Sequence, residues 1–133
     1  MVCPGIFNVT RTHTSPMLQL EYRQELSFHH IRPLVAAFAT TRGSLYFCAG
    51  ASVDLFFSKY FVMTPSFAPG MYYRGNGKHM GFPIEFRSAI EAAVCLKNRS
   101  RIGVQFQHIS NAHLGHRNPG ANSLLFYYAM SVK

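Results

Sequence analysis

A histidine and a serine near the C-terminus, His108 and Ser110, have the types and the spacing that nucleophilic catalysis needs. Residues two apart on a β-strand point to the same face, so the imidazole could take the proton of the hydroxyl. This pair is the minimum of a serine hydrolase. Asn111 follows directly and offers an amide to a developing oxyanion. The same spacing also fits an alternative without chemistry, in which the two side chains only hydrogen-bond each other.

The strand that carries this pair belongs to a chain in which helical periodicity is weak and alternation with period two is strong. Alternating segments are separated by turn residues, which is typical of an antiparallel all-β protein. The pattern predicts eight strands, over residues 5–12, 16–24, 30–40, 43–57, 60–73, 83–96, 100–111 and 122–132.

His108 and Ser110 lie on the apolar face of their strand, together with Phe106, whereas Gln105 and Gln107 lie on the opposite face. In a soluble barrel the apolar face points inward, and in a membrane barrel it points outward to lipid. Small and hydrogen-bonding residues on the polar faces, strands of ten or more residues and aromatic residues at strand ends favour the membrane barrel.

Asn122 is predicted to lie on the same apolar face as His108, on the neighbouring strand. Its amide oxygen could accept a hydrogen bond from Nδ1–H of His108 and hold the ring. It could not neutralise the imidazolium that forms during catalysis.

The composition bounds the class of protein and its partners. A chain of 133 residues predicts a single β-barrel domain over 1–133. Charged residues are only 14%, and the net charge of +8 suggests an acidic partner such as nucleic acid, anionic lipid or a phosphorylated glycolipid. The three cysteines match neither a zinc spacing nor a disulfide framework.

No uncharged apolar run is long enough for a transmembrane helix. The first residues, 1–5, lack the basic start and apolar stretch of a secretory signal, so we expect the protein to be either cytosolic or a mature or truncated form. The membrane-barrel pattern favours the second.

Two segments closely resemble the PagL-type lipid A 3-O-deacylases: Gln107-His108-Ile109-Ser110-Asn111-Ala112, and Arg117-Asn118-Pro119-Gly120-Ala121-Asn122-Ser123-Leu124. Weaker matches, such as Tyr73-Arg74-Gly75-Asn76-Gly77-Lys78, extend the resemblance over nearly the whole chain.

The resemblance implies an eight-stranded antiparallel up-and-down β-barrel in the Gram-negative outer membrane, with its site on the lipid-facing wall. It implies that Ser110 is the nucleophile, His108 the base and Asn111 an oxyanion donor. The reaction would be hydrolysis of the ester-linked acyl chain at position 3 of lipid A. The implied partners are lipopolysaccharide and outer-membrane lipids. No cofactor, metal or nucleic acid is expected, and a homodimer is left open.

The sequence departs from the family at two positions. The family's third catalytic residue is a Glu, and Asn122 aligns with it here, so we expect reduced activity. His113 stands where family members often have Gly, at a backbone N–H that could serve the oxyanion hole. We also expect the basic residues Arg74, Lys78 and Arg117, and in addition Arg42, to meet the phosphates of lipid A.

Three hypotheses follow from the sequence. The first is an esterase of the lipid A 3-O-deacylase type, active or weakened. The second is a barrel of the same fold that no longer turns over and only binds lipopolysaccharide or serves structure. The third is a soluble β-barrel that carries an apolar ligand inside.

Overall fold

The computed structural model describes residues 1–8, 14–24, 31–75, 83–111 and 120–130. The strands in this part of the chain are Val2–Phe7 (β1), Ser15–Arg23 (β2), Ile31–Thr40 (β3), Leu45–Val53 (β4), Leu55–Phe56 (β5), Phe61–Tyr73 (β6), Ile84–Cys95 (β7), Arg101–Ser110 (β8) and Ala121–Ala129 (β9). Among these residues, no helix is long and apolar enough to cross a membrane.

The strands form one antiparallel sheet that closes on itself. From β1 to β4 and from β5 to β9 each strand pairs with the next one along the chain, β9 pairs back onto β1, and β4 pairs with β6. The two-residue β5 continues the line of β4 and also pairs with β6. β4 and β5 therefore count as one of eight strand positions around the barrel, here called staves. The predicted eight-stranded antiparallel barrel is thereby confirmed. Closure leaves no sheet edge unpaired, which matters in a bilayer because no water is available there to satisfy an edge.

The first stave differs most from the sequence-based prediction. It was expected over residues 5–12, but β1 begins at Val2 and ends at Phe7, where Asn8 turns with a φ of 60°. The predicted strand 43–57 is interrupted at Asp54, whose carboxylate accepts hydrogen bonds from Arg32 and Arg101. A pattern of hydropathy cannot locate either feature, since both come from partners on other strands.

Apolar side chains cover the outside of the barrel, whereas the inside holds many polar and charged side chains beside a cluster of buried apolar and aromatic ones. On β2, Gln19 and Glu21 are 1% and 4% exposed, whereas Leu20 and Tyr22 between and after them are 56% and 62% exposed. The other long staves alternate in the same sense. This distribution is the reverse of a soluble barrel and is that of a membrane barrel, because only lipid can cover so much apolar surface. The third hypothesis is therefore wrong.

Buried ion pairs hold the polar interior together. Arg87 on β7 donates to the Glu21 carboxylate on β2 at 3.0 Å, and Arg23 bridges Glu21 to Glu91 on β7. Gln105 on β8 donates to Glu91 as well. Within this network each buried side chain is ion-paired or hydrogen-bonded, which offsets the cost of burying its charge. The network ties together staves that are not neighbours in the sheet.

The connections alternate between two ends of the barrel. One end, here called the site end, holds the end of β8 and the start of β9, the turn 41–44, and residues 74–75 after β6. The opposite end holds the turns 57–60 and 96–100. The side chains at the site end of β8 and β9 form the candidate active site.

Candidate active site

His108 and Asn122 face each other across β8 and β9 on the outer wall. They are register partners, and Nδ1 of His108 lies 2.7 Å from Oδ1 of Asn122. An amide oxygen can only accept, so Nδ1 carries the proton and donates it. Nε2 is then the ring nitrogen with a lone pair, which is the tautomer that a general base needs. The contact predicted for Asn122 is thus present in the structure.

Ser110 lies two residues further along β8, at the site end, and is half-buried. The β8–β9 register pairs Ile109 with Ala121, and its continuation by one residue places Gly120, which precedes β9, opposite Ser110. An ideal Cβ built on Gly120 would lie 2.8 Å from Cε1 and 3.4 Å from Nε2 of His108. The Cε1–Nε2 edge of the ring therefore points along the strand to the level of Ser110.

The hydroxyl of Ser110 makes no side-chain hydrogen bond to any residue that the structure describes, so its bond to His108 is not formed here. Such bonds are often long or absent in substrate-free enzymes and tighten when substrate binds. What the structure provides is a base in the correct tautomer, with a hydroxyl on the same face of the same strand.

The surroundings of the pair are apolar and open to lipid. Phe86 on β7 is the register partner of Ser110, and its ring stacks on Phe67 of β6 with centroids 6.0 Å apart. Ser88 is the register partner of His108 on the side away from Asn122. The candidate site is therefore a short polar row set into an apolar wall.

The predicted oxyanion donors are placed differently. Asn111 is fully buried, and the alternation of β8 assigns its side chain to the interior, together with Gln107 and Ile109. His113 lies outside the described residues.

The predicted phosphate-binding residues are known in part. Arg74 is exposed at the site end, where its main-chain carbonyl accepts a hydrogen bond of 2.6 Å from Ser44 Oγ. This bond joins the end of β6 to the turn that carries the exposed Arg42. Lys78 and Arg117 lie outside the described residues. Within the described part of the chain, no three metal-ligating side chains cluster.

The sequence did not assign a role to Gly120, although it lies in the Asn-Pro-Gly turn. Its φ of 64° and its contact with the imidazole make it part of the site. The sequence alone could not reveal this role, because Gly120 is placed opposite Ser110 only by the register of β8 and β9.

A closed barrel with a polar interior and a lipid-facing His–Ser pair defines a transmembrane β-barrel with a candidate esterase site. Among solved structures, a chain titled "Crystal structure of the outer membrane enzyme PagL" is similar in fold, with a TM-score of 0.73 at 16% sequence identity. The match covers 98% of this chain and 97% of that one.

The family model described as "Lipid A 3-O-deacylase (PagL)" matches residues 8–131, and the chain belongs to this family. No curated protein sequence matches the chain.

Proposed function

We propose that this protein is an outer-membrane esterase that removes the acyl chain ester-linked at position 3 of lipid A. The observation that carries the proposal is the 2.7 Å contact between His108 Nδ1 and Asn122 Oδ1 on the lipid-facing wall, with Ser110 on the same face. A substrate anchored in the membrane can reach this wall by lateral diffusion. An active site inside the barrel would be closed to it.

The chemistry follows from the tautomer. Ser110 Oγ attacks the ester carbonyl carbon while its proton moves to Nε2 of His108. The tetrahedral intermediate then collapses, the bond to the sugar oxygen breaks, and the imidazolium returns the proton to that oxygen. Water repeats the sequence on the acyl-enzyme, which releases the 3-hydroxy fatty acid and restores Ser110.

The oxyanion of the intermediate needs donors beside Ser110. We assign one of them to the main-chain N–H of Asn111, because the burial of this residue keeps its side chain away from the lipid side. A second donor from position 113 stays a prediction.

Asn122 lowers the expected rate. It orients the ring but carries no charge, so the imidazolium formed in both steps is stabilised less than by a carboxylate. If its amide turned over, the NH₂ group would face Nδ1 and favour the wrong tautomer, the defect that lowers turnover about 10⁴-fold in serine proteases. Oδ1 faces the ring here, which supports the proposal of catalysis at a reduced rate.

Arg42 and Arg74 are proposed to bind the phosphates of lipid A. Both are exposed at the site end, on two connections that the Ser44–Arg74 hydrogen bond joins. Guanidinium groups bind phosphate through paired N–H donors. Lys78 and Arg117 are proposed to add to this cationic rim.

The alternative function is a barrel that binds lipopolysaccharide without turning it over, and the neutral Asn122 is the observation that favours it. Incubation of the purified protein with lipid A in detergent, followed by mass spectrometry, separates the two. We expect loss of one 3-hydroxyacyl chain, and no loss in Ser110→Ala. No loss under any condition would leave only the binding function, and turnover by Ser110→Ala would refute the nucleophile.

A further inference from the structure

We propose that Gly120 is a positioning residue whose missing side chain forms the seat of the His108 imidazole. This inference rests on the proposed function, in which His108 is the general base. It assigns to the residue before β9 a second contact that holds the ring, in addition to the hydrogen bond that Nδ1 of His108 donates to Asn122.

The distances leave no room for a side chain at position 120. A Cβ there would stand 2.8 Å from Cε1 of His108, closer than Cβ atoms approach other heavy atoms in proteins, and 3.4 Å from Nε2. The ring thus lies directly against the backbone of Gly120. This close contact limits the rotation of the His108 ring toward Gly120, and the hydrogen bond to Asn122 limits it in the other direction.

The imidazole cannot simply move away from a new methyl group. Nδ1 is held at 2.7 Å by Asn122, so a rotation that relieves the overlap at Cε1 lengthens this hydrogen bond. The two contacts come from the same strand and act on adjacent atoms of one ring edge. Asn122 fixes the tautomer, and Gly120 fixes the direction in which Nε2 points.

The direction of Nε2 decides whether it can meet the hydroxyl of Ser110. A misplacement of about 1 Å in a reacting group can lower the rate about 10²-fold. We therefore expect a Cβ at position 120 to lower kcat far more than it changes KM, since the lipid-binding wall stays in place.

The test compares Gly120→Ala with Gly43→Ala. Gly43 is the matched control because it lies at the same end with a φ of 83° and has nothing within 4 Å of an ideal Cβ. Both variants place alanine at a positive φ, but only one of them touches the ring. We expect kcat to fall about a hundredfold in Gly120→Ala, with KM changed less than about threefold, and Gly43→Ala to keep the parental kcat.

A second pair of variants, with asparagine at positions 120 and 43, addresses the case in which the alanine variants do not fold. Asn tolerates the left-handed conformation better than Ala does, so Gly120→Asn retains the overlap with less backbone strain. We expect Gly120→Asn to fold and to lose turnover, as Gly120→Ala does, whereas Gly43→Asn remains active. Parental turnover in a folded Gly120 variant would overturn the proposal.

A spectroscopic readout separates this inference from the proposed function. In isotope-labelled protein, the His108 Nδ1–H donated to Asn122 should give a protected signal that His108→Gln removes. We expect the signal to be lost or shifted in the Gly120 variants and unchanged in the Gly43 variants. An unchanged signal in both sets of variants would overturn the proposal that Gly120 positions the imidazole. A parent without activity on lipid A would refute the function, while this signal would still decide the role of Gly120.

Discussion

At the scale of single residues, the proposed general base, His108, is held by neighbours that are not ionised. Asn122 supplies an acceptor for Nδ1 of His108, and apolar side chains such as Phe106 and Leu124 lie next to them on the outer wall. The neutral amide of Asn122 selects the tautomer of His108 but gives little electrostatic stabilisation to the imidazolium. The rate and the geometry of this site are therefore set by different atoms and can be changed separately.

The first prediction concerns that separation. Asn122→Glu should raise kcat for lipid A deacylation, because a carboxylate can accept the same hydrogen bond and also stabilise the imidazolium. Asn122→Leu should lower kcat below that of the parent by about 10-fold or more, because the ring loses its orienting contact. Rates measured by mass spectrometry check both, and a Glu variant no faster than the parent would place the orienting group elsewhere.

At the scale of elements, staves that are distant in the sheet are joined through the interior. The buried Arg87 and Glu21 connect β7 to β2 at 3.0 Å. Their side chains are fully buried, so Arg87 depends on Glu21 for its ionic partner, and Glu21 depends on Arg87 and Arg23.

Removal of one partner is predicted to destabilise the barrel. Arg87→Met leaves Glu21 with the bridging Arg23 alone and should lower the free energy of unfolding by about 3–5 kcal/mol. Unfolding in denaturant, followed by the mobility shift of folded barrels on gels, measures it. Lys59→Gln, a change in an exposed turn, is the control and should have no measurable effect. A loss below about 1 kcal/mol would show that the ion pair adds little to the barrel.

The pairing of β4 with β6, here called the seam, depends on the close approach of the two backbones at Gly70. A Cβ on this residue would overlap the carbonyl oxygen of Phe47 on the neighbouring stave. Gly70→Val should therefore open the seam that closes the barrel and reduce the folded fraction, seen as loss of the gel mobility shift. Ala49→Val, a lipid-facing change on β4, is the control and should fold as the parent does. A folded Gly70→Val variant would mean that the seam can widen.

The sequence predicted much at this scale, but not all of it. The alternation located seven of the staves and placed His108, Ser110 and Asn122 on one face, because side-chain direction follows the chain alone. It misplaced β1, because the start and end of a first strand depend on its partners β2 and β9. It could not foresee the seat at Gly120, since that contact depends on the register between two strands.

At the scale of the whole molecule, the barrel presents an apolar belt to lipid and exposed arginines at the site end. Among the described residues at this end, the exposed charges are Arg42 and Arg74, and the acidic Glu85 is buried in the interior. The end that carries the candidate active site is thus cationic, which suits a phosphorylated glycolipid.

The last prediction tests whether the exposed arginines at the site end bind the phosphates of lipid A. The double variant Arg42→Gln with Arg74→Gln should raise KM for phosphorylated lipid A several-fold, with little change in kcat, because the arginines act on the head group and not at the ester. The same variant should bind dephosphorylated lipid A as the parent does. Lys59→Gln with Lys97→Gln, at the opposite end, is the matched control. An equal KM for both substrates would exclude the two arginines from phosphate binding.

The sequence by itself determined the two faces of each strand, the residues of the His–Ser pair and the family they resemble. Alternation with period two is a property of the extended backbone and needs no partner to be read. Only the tertiary structure decided which face meets lipid, which acids pair with which arginines, and what holds the imidazole. These depend on closure and register, which bring together residues far apart in the chain.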